Sequence, residues 1–368
     1  MDVVVIGGGQ AGLAAAFYLR RAGLSYVVLD AAPSAGGAWR HTWDSLRLFS
    51  PAEYSSLPGW PMPRTEDGNP DAAHVIDYLQ RYEERYDIPV ERSVHVTGVR
   101  EGGEGFVVTG VDAADDDGDG DGDGDGDSRT WRAPVVVSAT GTWSRPFVPA
   151  FDGRATFLGR QLHSSRYVRP ADHAGRAVMV VGGANSGAQI AAELSLDPEV
   201  GEVCWCTIDE PRFLPDDVDG RELFRVASAR VRGEAGARGV GGLGDIVVVP
   251  SVREARDSGA LRRSPMPTRL TRSGAVWDDG MSRELDDIVW CTGFRPALRH
   301  LDGLDLPREN GHIATDGPTA RGIRGLYLIG YGDWTGPASA TLIGVGQWAR
   351  AAVDDIVTLR DGVTARNR

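Results

Sequence analysis

Residues 2–21 place the tightest constraint on what this chain can fold into. Asp2-Val3-Val4-Val5-Ile6 is a short β-branched run, Gly7-Gly8-Gly9-Gln10-Ala11-Gly12 follows at once, and Leu13 to Arg21 is apolar at helical spacing. Together they read as strand, tight glycine turn and helix, the arrangement that cradles a dinucleotide. Gly7 permits the sharp turn, Gly9 lets backbone approach a pyrophosphate, and Gly12 lets the helix close on the strand. Gln10 and Ala11 open the helix, whose free N–H groups and partial positive charge suit phosphate. A second strand, Tyr26 to Leu29, ends in Asp30, where an acid can hold a ribose hydroxyl.

The same grammar returns later in the chain. Ala177 to Val181 is strand-like, Gly182-Gly183-Ala184-Asn185-Ser186-Gly187 turns, and Ala188 to Leu194 is helical, with Ala184 where the middle glycine would stand. Two such units imply two nucleotides. After the next strand, Val203 to Thr207, come Asp209 and Glu210. Acid there favours a free ribose hydroxyl and base a 2′-phosphate. Arg212 stands beside them and leaves both coenzymes open. Further strands are expected at 93–100, 105–111, 129–138, 246–249, 287–291 and 326–329, and helices at 75–82 and 338–352. The pattern is βαβ, insertion, βαβ, then a return. It predicts an α/β fold of two Rossmann-like dinucleotide-binding domains, the first discontinuous: residues 1–148, 149–291 and 292–368.

Composition narrows the setting. Of a net charge of −13, eight charges belong to the Asp/Gly run 115–127. The remainder is mild, which argues against a nucleic-acid surface. That run starts like a calcium loop, but Ser128 occupies the twelfth position, where a bidentate Glu belongs. It reads instead as an acidic, disordered hairpin tip over 112–128. Three cysteines make no disulfide framework and suit a reducing cytoplasm. Cys204 and Cys206 share one face of a strand. They could bind a thiophilic ion, although buried strand cysteine is the more ordinary role, and no metal site is expected. The chain opens on an acid and a strand, from which no signal peptide is expected, and no uncharged apolar run reaches membrane-spanning length.

Between the glycine turns, Phe157, Gly159, His163 and Tyr167 are spaced two, four and four apart. This resembles the fingerprint of class B flavin-dependent monooxygenases, and with both turns in order the resemblance covers nearly the whole chain. It implies FAD on the first unit, NAD(P)H on the second, and His163 where the two meet. Gly37 and Trp39 resemble the flavin-flanking Gly-Gly-x-Trp. Gly332-Asp333 resembles the late Gly-Asp beside the ribityl chain, with Thr341 further along the same run. Thr140-Gly141 and Thr292-Gly293 resemble the interdomain Thr-Gly turns. The runs 43–51, 55–63 and 330–341 look closest to the branch encoded in arsenic-resistance operons. The family's Baeyer–Villiger arginine loop is missing, which leaves heteroatom oxygenation.

On this resemblance NAD(P)H reduces FAD and O₂ adds to give a hydroperoxyflavin. That species passes oxygen to sulfur, nitrogen or trivalent arsenic of a small molecule. The cofactor supplies the chemistry and the protein orients it. Residues 40–63, with His41, Asp44 and Ser50, are the expected wall over the flavin, and His41 its candidate hydrogen-bond donor. No nucleic acid or membrane is expected as partner, and a homodimer is a candidate assembly. The competing reading is a disulfide reductase resembling thioredoxin reductase. It needs reactive thiols, usually Cys-x-x-Cys, whereas this chain offers Cys204-x-Cys206.

Overall fold

Val3, Val4, Val5 and Ile6 are buried on both faces, as β-branched residues of a parallel strand should be, and form an interior strand of a seven-stranded sheet. The computed structural model describes residues 1–66, 68–103, 105–112, 128–218 and 245–366. Val3–Ile6 pairs in parallel with Tyr26–Leu29 on one side and Val135–Ser138 on the other. Val90–Glu91 extends the first side and Leu326–Leu328 the second, both in parallel. The chain therefore departs in opposite directions from the carboxyl ends of Val3–Ile6 and Val135–Ser138, which is where such sheets bind ligands.

The helix Gln10–Arg21 buries Leu13, Ala14, Ala15, Ala16 and Leu19. Its run of alanines lets it lie close to the sheet, and the last helix, Val345–Arg366, packs on it. The sequence suggests that this last helix begins at Ala338. It begins seven residues later because Ala338 takes a left-handed φ of 59° and Thr341 Oγ1 accepts the Gly344 N–H at 3.0 Å. Helix Ala72–Arg85 is capped by Asp71, whose carboxylate accepts the His74 N–H. An antiparallel sheet of Val94–Gly102, Gly105–Asp112 and Arg129–Ala133 completes this unit. The acidic run 113–127 lies outside the described residues.

Two units make up the chain: residues 1–40, 51–144 and 296–368, and residues 41–50 with 145–295. The sequence puts the boundaries at 148/149 and 291/292. The short stretch 41–50 groups with the second unit because Trp43 buries among Tyr167, Val178, Ala188 and Val289, and the half-buried Leu46 packs against them. The Asp44 N–H also donates to the Val168 carbonyl at 3.0 Å. Apolar partners decide this grouping, and chain continuity does not.

The second unit repeats the plan in five parallel strands, ordered Arg263–Pro265, Val203–Thr207, Val178–Val181, Asp287–Trp290, Arg160–His163. The expected strand at 246–249 is not part of the sheet. Ile246 makes one isolated bridge to Phe213, the Val247 N–H goes to Asn185 Oδ1, and Pro250 starts a helix. With those groups engaged, a ladder cannot continue.

Asp287, fully buried at the start of its strand, accepts from Arg160 Nη2 at 2.6 Å, Arg176 Nη1 at 2.8 Å and His173 Nδ1 at 2.7 Å. Burial pushes its carboxyl up, but Arg160 foremost, with His173, holds it below the ordinary 3.8. A depressed carboxyl stabilises the fold above its unfolded pKa, so this contribution persists at neutral pH and fades as pH falls below 3.8. Asp287→Asn should lower stability by about 3 kcal/mol near neutrality, read from the denaturant midpoint. An unchanged midpoint would show the guanidiniums to be paired elsewhere.

Candidate functional site

In the first unit, three turns meet at the carboxyl ends of Val3–Ile6 and Val135–Ser138. The Gly7–Gly12 turn has no room for side chains where it folds back: a Cβ on Gly12 would lie 1.9 Å from the Gly7 carbonyl oxygen. A Cβ on Gly9 would meet no protein atom within 4 Å, and the same holds at Gly141 and Gly332. Glycines on three separate loops thus face open space at one sheet edge. Together with the free N–H groups of the Gln10–Arg21 helix, they form a cradle that fits a pyrophosphate-linked dinucleotide.

Side chains lock these loops together. Gln10 Nε2 donates to the Ala340 carbonyl at 2.7 Å, and its Oε1 accepts from Trp39 Nε1 at 3.1 Å. A Cβ on Gly37 would stand 3.0 Å from the Gly9 Cα, so the Gly37–Trp39 segment lies against the turn. The methyl of Ala11 backs onto Gly330. Thr341 Oγ1 donates to the Ala338 carbonyl at 2.8 Å and so shapes the neighbouring loop. Asp333 is exposed and accepts the Ala338 N–H at 3.3 Å. Asp30 is buried beside Gly8, and its carboxyl is raised chiefly by burial, partly offset by the Arg92 guanidinium. Arg92 pairs with both Asp30 and Glu83, which holds the acid at the end of its strand.

The second unit has the matching edge. A Cβ on Gly187 would lie 2.1 Å from the Gly182 carbonyl, and one on Gly182 would lie 2.2 Å from that of Cys291. Ser186 sits half-buried in the first turn of helix Asn185–Leu196. Asn185 itself is engaged elsewhere: Nδ2 donates to the Asp245 carbonyl at 3.1 Å and Oδ1 accepts from Val247. Arg212 is ion-paired to Asp245 at 2.8 Å. Thr292 Oγ1 donates to the Phe147 carbonyl, and Gly293 carries a left-handed φ of 78°, as Gly141 does at 66°. The glycines of both Thr-Gly turns therefore lie in the left-handed region.

Of the expected catalytic side chains, His163 has both ring nitrogens engaged. Nε2 donates to the Gly293 carbonyl at 2.9 Å and Nδ1 accepts the Ser165 N–H at 3.1 Å. Burial lowers its pKa, which keeps the ring neutral. His41 and Asp44 are exposed and Ser50 half-buried, and Asp44 lies 3.8 Å from Arg169. All three belong to the second unit, whereas Gly37 and Trp39 belong to the first.

Cys204 and Cys206 lie with sulfurs 3.5 Å apart, 2% and 0% exposed, among Met179, Val181 and Trp290. Buried so, neither offers the accessible thiolate that disulfide exchange requires.

Sequence reasoning missed Ser138, His300 and Tyr331, which form a buried hydroxyl network beneath Thr140. Tyr331 had a signal in standing next to Gly332-Asp333. A single histidine at 300 had none.

The family model for pyridine nucleotide-disulphide oxidoreductase matches residues 1–201. A flavin-containing monooxygenase from Stenotrophomonas maltophilia, solved as a structure, is 48% identical over 97% of this chain and 98% of its own, with a TM-score of 0.85. An uncharacterized CzcO-like oxidoreductase of Geobacillus kaustophilus is 27% identical over 97% of this chain and 98% of its own length. The indole-3-pyruvate monooxygenase YUCCA4 of Oryza sativa subsp. japonica is 25% identical over 96% and 87%.

Proposed function

The chain belongs to the flavin-containing monooxygenase family, and from that premise we propose that it oxygenates a soft heteroatom of a small molecule. It is an oxidoreductase that uses FAD and NAD(P)H. The atom proposed to accept oxygen is sulfur, nitrogen or trivalent arsenic. Each carries a lone pair that attacks without a side-chain base, so orientation and water exclusion are what the protein must provide. Bound FAD, once reduced by NAD(P)H, supplies activation of O₂ for transfer of one oxygen atom.

The observation that carries this reading is the pair of glycine cradles, Gly7–Gly12 and Gly182–Gly187, each at the switch point among the parallel strands of its own sheet. In this reading Gly9, Gly12 and the helix N-terminus hold the FAD pyrophosphate, and Asp30 takes a ribose hydroxyl. Gln10 and Trp39 fasten the loops around it, with Asp333 near the ribityl chain. Gly182, Ser186 and Gly187 serve NAD(P)H. His163 acts as a positioning residue that holds the Thr292-Gly293 turn through its Nε2–H.

The test follows NADH and NADPH oxidation spectroscopically with a thioether, an amine, arsenite and a methylated trivalent arsenical, with peroxide measured alongside. Coenzyme consumption matched by an oxygenated product, with little peroxide, is the expected result for at least one of them. Peroxide alone with all four would overturn the heteroatom proposal.

A further inference from the structure

Ser138, Tyr331 and His300 are 0%, 4% and 6% exposed, yet each carries a polar group into the core of the first unit. Such groups are costly to bury unless every one is satisfied. Their hydrogen atoms can be placed by valence alone. The Ala297 carbonyl only accepts, so the Thr140 hydroxyl donates to it at 2.6 Å. With that single hydrogen used, Thr140 Oγ1 must accept from Tyr331 Oη–H at 2.7 Å. The Tyr331 oxygen then accepts twice, from the Ser138 hydroxyl at 2.5 Å and from the Thr140 N–H at 3.2 Å. Ser138 in turn accepts from His300 Nε2–H at 2.9 Å. The chain runs one way only: His300 to Ser138 to Tyr331 to Thr140 to Ala297.

The tautomer of His300 follows from it, with hydrogen on Nε2. Burial keeps this ring neutral, its pKa pulled down to about 4, which agrees with the placement.

The network lies directly under the cradle. Thr140 precedes Gly141, Tyr331 precedes Gly332 and Asp333, and the Tyr331 hydroxyl holds both the side chain and the backbone N–H of Thr140. It ties the loop after Val135–Ser138 to the loop after Leu326–Leu328. We propose that Tyr331, oriented by His300 through Ser138, is a positioning residue that sets the spacing of these two loops for FAD. The proposal rests on the functional reading that this edge receives the flavin nucleotide.

Tyr331→Phe keeps the ring and removes all three hydroxyl bonds. The FAD dissociation constant should rise about tenfold, the scale of one buried polar group left unpaired. The visible circular dichroism of the bound flavin should change with it. His300→Gln, whose amide can still donate to Ser138, should bind FAD like the parent, and His300→Leu should bind it more weakly. Tyr331→Phe with parental affinity and an unaltered flavin spectrum would overturn the proposal. Should that variant fail to fold, the His300 pair decides: equal affinities for Gln and Leu overturn it, and rescue by Gln alone supports it. A parent protein that takes up no FAD overturns the functional reading and this proposal together. Parental uptake with an unaffected Tyr331→Phe overturns the proposal alone.

Discussion

Gly9→Ala is expected to give a protein that folds as well as the parent and no longer retains FAD. Gly9 sits at φ −79° and ψ −171°, an extended conformation open to any residue. Its Cβ would touch nothing in the protein. Alanine there restricts the unfolded chain, so stability should be unchanged or higher by about 0.5 kcal/mol. The only atoms with which the methyl collides are those of a ligand lying on the turn. A loss on the order of 100-fold in FAD affinity, about 2.8 kcal/mol, is the expected scale, measured by titrating apoprotein and following flavin fluorescence. Gly12→Ala should fail differently. Its methyl meets the Gly7 carbonyl at 1.9 Å inside the protein, so the helix must retreat and the fold itself loses about 3 kcal/mol or more. The contrast separates a ligand clash from a packing clash. Gly9→Ala protein that still purifies with stoichiometric FAD would mean the flavin lies elsewhere.

Gly187→Ala should leave FAD in place and sever its supply of electrons. The substituted methyl would stand 2.1 Å from the Gly182 carbonyl, and the turn cannot keep its shape around it. This clash lies wholly in the second unit, whose residues do not build the first unit's cradle. The yellow protein should therefore be reduced by dithionite as the parent is. Its anaerobic reduction by NADH or NADPH should fall by about 100-fold, equivalent to 2.8 kcal/mol of lost coenzyme binding. Parental reduction rates would show that the second glycine turn has no part in coenzyme binding. Loss of FAD as well would show the damage to be global, and Ser186 would then be the milder position to probe.

Both glycine turns were legible in the sequence because their chemistry is local. A β-branched run, glycines at fixed spacing and an apolar helix adjoin one another, and each constrains its neighbours within a dozen residues. The α/β class and the two nucleotide units followed from that local grammar, and the family from the resemblance carried by Phe157, Gly159, His163 and Tyr167. What only the tertiary structure decided involves partners far apart along the chain. Trp43 carries its segment into the second unit because its indole finds Tyr167 and Val178 there. The side chain of Asn185, a residue of the second nucleotide turn, is claimed by Asp245 and Val247, some sixty residues on. Ile246–Val249 has the composition of a strand, but its backbone groups are spent on Arg212, Leu214, Asn185 and a local turn. Ser138, His300 and Tyr331 stand up to 193 residues apart and mean nothing singly. A buried hydroxyl must be satisfied by whatever the fold brings within about 3 Å, and no periodicity or spacing records which residue that is.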